Sequence, residues 1–148
     1  MMLRSTGTYR FSPELRKGTH TRRDGGTTRW WLIIDCDPEL GRFLRHLFEL
    51  GHYRTRSLQP PLWGTHISVI RGEQPLMADA WGELDGVAVE FAYMPIVHET
   101  NRFAWCQVEC PEALALREAF GLSRQSQPPL HLTIGNDNAG VEPSHATL

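Results

Sequence analysis

Between Trp30 and Asn136 one order of elements occurs twice, and this repetition constrains the fold more than any single motif. The first pass runs WWLIIDC, DPEL opening a helix, a glycine stop at Gly51, a loop, PPLWGT, and the strand His66-Ile67-Ser68-Val69. The second runs FAWCQVEC, PEAL opening a helix, a stop at Gly121, a loop, PPL, and the strand His131-Leu132-Thr133-Ile134. WWLIIDC is a short run of β-formers. Asp37 is placed as an N-cap ahead of Pro38 and Glu39, and Leu40, Phe43, Leu44, Leu47 and Phe48 fall on one helical stripe. Val87–Val97 and Arg102–Glu109 read as a hairpin turning through Glu99 to Asn101, and Glu112–Phe120 as the second helix.

Two copies of strand, helix, strand predict two lobes related by pseudo-twofold symmetry. The expected class is α+β, with mainly antiparallel sheets flanking a central groove. One domain spans 29–137, with lobes at 29–72 and 87–137. Residues 1–28, rich in Arg, Thr and Gly, read as an irregular arm or lid with a short strand around Thr8 to Phe11. Residues 138–148 read as a flexible tail.

A chain of 148 residues suits one domain with a proper core. Its net charge of −2 gives no pull toward nucleic acid. Of its 15 basic residues only Lys17 is lysine, a bias that suits phosphate oxygens but that base composition also produces. Cys36, Cys106 and Cys110 are an odd number without scaffold spacing, so reduced core thiols are expected and zinc is not. The N-terminus lacks an apolar signal region and no run reaches the length of a membrane span, which predicts a cytoplasmic protein without a membrane partner. Nothing in the sequence specifies an oligomeric state.

The tripeptide H-x-[ST] occurs four times, against roughly one expected by chance from this composition. His98-Glu99-Thr100 falls at the hairpin turn and His145-Ala146-Thr147 near the C-terminus. Only His66 and His131 have apolar residues at the second and fourth positions, after a helix and a PPL segment. A strand histidine taken singly is more often held by backbone than catalytic; the duplicated context favours a catalytic pair.

Strand alternation puts His66 with Ser68, and His131 with Thr133, on common faces. Two imidazoles can hold opposite protonation states near neutrality, one taking a proton from an attacking hydroxyl and the other giving one to a leaving oxygen. Ser68 and Thr133 can donate hydrogen bonds to non-bridging phosphate oxygens as charge builds. The sequence offers neither a carboxylate cluster nor a Cys/His ligand set, so no metal or other cofactor is expected. Trp63, and more weakly Tyr9, are candidates to stack on a base, with loop packing the plainer reading of Trp63. Trp30, Trp31 and Trp105 lie in apolar strands and read as core. Arg71 ends the first motif strand, but strict alternation points it away from His66.

These residues resemble the 2H phosphoesterases, defined by two H-x-[ST]-h motifs in two pseudo-symmetric lobes, over most of the chain from about Trp30 to Asn136. The resemblance implies His66 and His131 as the acid/base pair and Ser68 and Thr133 as phosphate binders. Serine in the first motif departs from the commoner threonine. The two histidines are only 65 residues apart, so the chain is more similar to the small phage-type members, including anti-CBASS nucleases that degrade cyclic di- and trinucleotide messengers. The implied function is a metal-independent phosphodiesterase acting on a nucleotide or oligonucleotide substrate, in the host cytoplasm for a phage protein. The alternatives are a 2′,3′-cyclic phosphodiesterase of RNA ends and a non-catalytic nucleotide- or RNA-binding module.

Overall fold

Strand β2 (Leu32–Cys36) keeps a strict alternation that sorts its side chains between two surfaces: Leu32, Ile34 and Cys36 join the main core, while Ile33 joins Trp31 and Trp63 in a separate small cluster. The computed structural model describes residues 1–14 and 26–137. After β1 (Leu3–Phe11) and β2 come α1 (Pro38–Gly51), β3 (His66–Ile70), β4 (Ala88–Tyr93), β5 (His98–Thr100), β6 (Phe103–Glu109), α2 (Pro111–Ala119) and β7 (His131–Asn136).

The two-lobe α+β arrangement expected from the repeat does not form. The strands join in one antiparallel sheet in the order β4-β1-β2-β3-β7-β6-β5, and β4 also pairs with β6 through Ala92–Glu109 and Tyr93–Val108. That pairing closes six strands into a barrel, with β5 added on the outside of β6. Closure removes the free edges that two open lobes would carry. The β2–α1–β3 and β6–α2–β7 passes exist, but their strands are neighbours in one wall: β3 pairs directly with β7.

The closing elements lie outside the repeat. The N-terminal stretch, expected to be mostly irregular, is a nine-residue strand between β4 and β2. Its inward face is weakly apolar because one inward position, Gly7, has no room for a side chain: a Cβ there would meet Ile34 and stand 2.9 Å from the Asp35 carbonyl oxygen. The remainder of the expected arm, residues 15–25, and the expected tail, 138–148, lie outside the described residues.

Both helices seal the main core. Asp37 caps α1 by accepting the Glu39 N–H at 2.9 Å, and Leu44 and Phe48 are buried. Phe43 is 49% exposed, so the apolar stripe of α1 is narrower than its sequence suggests. Helix α1 packs against β7 and α2 against β3, each lending a residue, Leu44 and Ala113, to the core. The three cysteines are buried and free, and burial raises their thiol pKa values, that of Cys106 to about 12. Arg117 of α2 is buried; it donates to both Glu73 carboxylate oxygens (2.7 and 2.9 Å) and to the carbonyls of Val69 and Ser123, both at 2.8 Å. This ties α2 to the end of β3. Among the described residues no helix is long and apolar enough to cross a membrane.

Candidate functional site

Direct cross-strand partners in an antiparallel sheet share a face. His66 stands opposite Thr133, with Ile67 opposite Leu132. Ile67 and Leu132 belong to the main core, so His66 and Thr133 face outward from the barrel. The same register continued by one residue sets Ser68 against His131. The two histidines thus occupy one diagonal of a four-residue square and the two hydroxyls the other, a diagonal that spans about 7–8 Å in antiparallel sheets.

The square extends across the wall in two rows. One runs Asp35, His66, Thr133, Trp105, His98, each directly opposite the next. The other runs Ile33, Ser68, His131, Gln107. In each motif strand the fourth residue of the motif is an extra one. Ser68 pairs with Ile33 but Ile70 with Leu32, leaving Val69 over; Thr133 pairs with Trp105 but Gly135 with Ala104, leaving Ile134 over. A bulge re-aims the side chains beyond it. Val69 and Ile70 both enter the core, and Arg71, which strict alternation would point away, turns to the outer face. Its guanidinium lies 5.4 Å from the ring centre of Trp31, and it lines a small pocket with Ser68, His131 and Thr133. That pocket holds about 110 Å³ and has Gln127 and Pro128 on its rim.

Both imidazoles are oriented in the same way. Nδ1 of His66 lies 2.6 Å from the carbonyl of Gly64, and Nδ1 of His131 lies 3.0 Å from that of Pro129, in each case two residues upstream. A carbonyl only accepts, so Nδ1 carries the proton and Nε2 of a neutral ring is left with the lone pair. Gly64 adopts φ +80, a left-handed backbone that suits glycine. His66 is 1% exposed, and its Nε2 is buried with no hydrogen-bond partner among the described residues. Burial lowers its pKa from 6.5 to about 4, against the upward effect of the Gly64 hydrogen bond; the charges of Arg71 and His131 lower it further, and Asp35 opposes them.

Trp31 is buried in the smaller core cluster with Ile33 and Trp63, as expected of a core residue, and from there it forms the wall behind the square. It is buried edge-on to His66 (5.7 Å) and Trp63 (5.1 Å), and its Nε1–H donates to Ser68 Oγ at 3.0 Å. With that bond accepted, the Ser68 proton is left to donate elsewhere. Trp63, expected to stack on a base, is 8% exposed and packed on Trp31, so it presents no open face. Tyr9, the other stacking candidate, is an inward residue of β1, 4% exposed, and burial raises its pKa. Trp105 is the aromatic that faces outward, edge-on to His131 at 5.7 Å. Its parity with Gln107 and Glu109, both polar and exposed, was the available signal. Among the described residues no three His, Cys, Asp or Glu side chains group as a metal site.

With this geometry in view, no protein-family model, curated protein or solved structure matches the chain.

Proposed function

We propose that the protein is a phosphodiesterase of the 2H type, cleaving a nucleotide phosphodiester by acid–base catalysis between His66 and His131. The observation that carries this reading is the square: two H-x-[ST] motifs on adjacent antiparallel strands, with both histidines and both hydroxyls on one face. His66, neutral at neutral pH, is the base. Its Nε2 takes the proton from a ribose 2′-hydroxyl as that oxygen bonds to phosphorus. The bond from phosphorus to the leaving oxygen breaks, and His131 as imidazolium gives that oxygen its proton. The product is a 2′,3′-cyclic phosphate; where the substrate is such a ring, water replaces the hydroxyl and the ring opens. Ser68, Thr133 and Arg71 face the non-bridging oxygens, where charge accumulates. The substrate class favoured by the compact motif spacing is the cyclic oligonucleotide messenger, with RNA 2′,3′-cyclic ends as the alternative.

Burial of His66 means that turnover requires a local opening that uncovers Nε2. The burial of His66 also favours a second reading, a nucleotide-binding face that uses Ser68 and Arg71 without proton transfer, with Thr133, 2% exposed, reached only by the same opening. Incubating the purified protein, with and without EDTA, with cyclic dinucleotides, cyclic trinucleotides and RNA bearing 2′,3′-cyclic ends separates the two. The phosphodiesterase reading expects products in both conditions. Tight binding of a nucleotide that stays intact overturns it in favour of the binding face, and activity lost entirely in EDTA overturns the two-histidine mechanism.

A further inference from the structure

A larger cavity adjoins the small pocket and shares His131 and Pro128 with it. It holds about 750 Å³, within the range of small-molecule sites, and is lined by Trp105, His98, Thr100, Asn101 and Gln107 among others. Its wall is aromatic and held in place: the His98 ring lies 4.7 Å from the indole of Trp105 at an interplanar angle of 31°, and Trp105 Nε1–H donates to Thr100 Oγ1 at 3.1 Å. The hairpin that carries these residues is anchored from outside the cavity. Arg56 bonds both oxygens of Glu99 (2.7 and 3.0 Å) and one of Asp137 at 3.0 Å, joining β5 to the end of β7.

Resting on the phosphodiester reading of the adjoining square, we infer that this cavity is the nucleobase subsite of the substrate, with Trp105 as its stacking platform. Position decides it. Trp105 is the direct cross-strand partner of Thr133, the hydroxyl proposed to hold phosphate. Such partners stand about 4.5–5.5 Å apart at Cβ, so a phosphate at Thr133 brings its nucleoside over the indole. Gln107, the partner of His131, lines the same cavity. Its amide, with that of Asn101, offers donors and acceptors to the edge of a base, whereas the small pocket has room for the phosphate alone. Every base has a π-face, so stacking on the side of the indole away from His98 is indifferent to base identity; the subsite then accepts more than one nucleobase, and the amides rank them.

Binding rather than turnover tests this, so that it stands apart from the catalytic reading. A nucleoside 3′-monophosphate and ribose 3-phosphate are titrated into wild type, Trp105→Phe and Trp105→Ala by calorimetry, with the indole N–H resonances followed in wild type. The nucleotide should bind wild type about 5- to 150-fold more tightly than the sugar phosphate, the span of one base–aromatic stack. Trp105→Phe should keep most of that advantage and Trp105→Ala lose it, with sugar-phosphate affinity unchanged. Because Trp105→Ala could perturb the barrel, the wild-type spectrum is an independent readout: the Trp105 indole resonance, assigned by its loss in Trp105→Phe, should move with the nucleotide and not with the sugar phosphate. Equal affinity for the two ligands, a still Trp105 resonance, or an advantage that survives in Trp105→Ala overturns the inference. If the base advantage is present while no diester is cleaved, the catalytic reading fails and the base subsite stands.

Discussion

His66 and Thr133 stand directly opposite one another across the β3–β7 pair, so the histidine of one motif faces the hydroxyl residue of the other. Antiparallel pairing makes the relation reciprocal, bringing Ser68 to His131. Two weak tripeptides, each near the chance rate, become one four-residue face because their strands are neighbours with this register. A slip of one residue would turn one motif into the core and destroy the face.

Buried neutral His66 should make folding stability depend on acid. Its folded pKa, about 4, lies below the ordinary 6.5, so the unfolded chain takes up a proton that the folded one refuses. The stabilisation is complete above about pH 6.5 and is lost as pH falls toward about 4, by roughly 3 kcal/mol in all. Denaturant unfolding of wild type and His66→Asn near pH 7 and near pH 4.5 checks this: wild type should lose about 2–3 kcal/mol more than the variant. Equal losses would count against a buried neutral His66.

Arg71 was illegible as a site residue because the bulge at Val69 reverses its direction, and bulges leave little trace in a run such as HISVIRG. Arg71→Ala should reduce kcat/KM about 10- to 100-fold, the worth of one charge-assisted bond to phosphate. Arg71→Lys should recover part of it, and loss of the contact with the Trp31 ring should lower the melting temperature of Arg71→Ala by only a few degrees, too little to account for the kinetic loss. Unchanged kinetics would remove Arg71 from the site.

Gly64 serves His66 through its carbonyl. Alanine at φ +80 costs about 1–2 kcal/mol, and relaxing that strain moves the oxygen that fixes the ring. Gly64→Ala should therefore lower kcat by more than its small loss of stability explains. Steady-state kinetics and thermal melting of the same preparation make the comparison; parallel or negligible losses would show that the carbonyl is not what holds the base.

The local elements were readable where the sequence carries alternation, caps and helical stripes: β2, α1 with its Asp37 cap, β3, α2 and β7 all follow from such signals. The global arrangement was not. Repetition of strand, helix, strand is compatible with two lobes or with one closed wall, and the choice rests on β1 and on the β4–β6 pairing. Strand β1 hides because Gly7 fills an inward position without a side chain. Trp63, Tyr9 and Trp105 were misplaced because aromatic type does not reveal facing; for Trp105, its parity with Gln107 and Glu109 carried the signal that its apolar neighbours masked.

Arg117 joins α2 to the bulged end of β3 and hence to the segment leading into Arg71. Arg117→Ala leaves the Val69 and Ser123 carbonyls without this donor and should destabilise the fold by about 3 kcal/mol. Denaturant unfolding checks it, and a loss under about 1 kcal/mol would mean that solvent replaces the guanidinium there.

The central claim is that His66 and His131 act as one proton-transfer unit, and single-turnover rates of His66→Ala, His131→Ala and the double variant on the best-cleaved diester test it most directly. Each single change should slow cleavage by about 10²- to 10⁴-fold, and the double variant should be no more than about tenfold slower than the worse single, since a unit already broken has little left to lose. A double variant that cleaves at the wild-type rate would contradict the account.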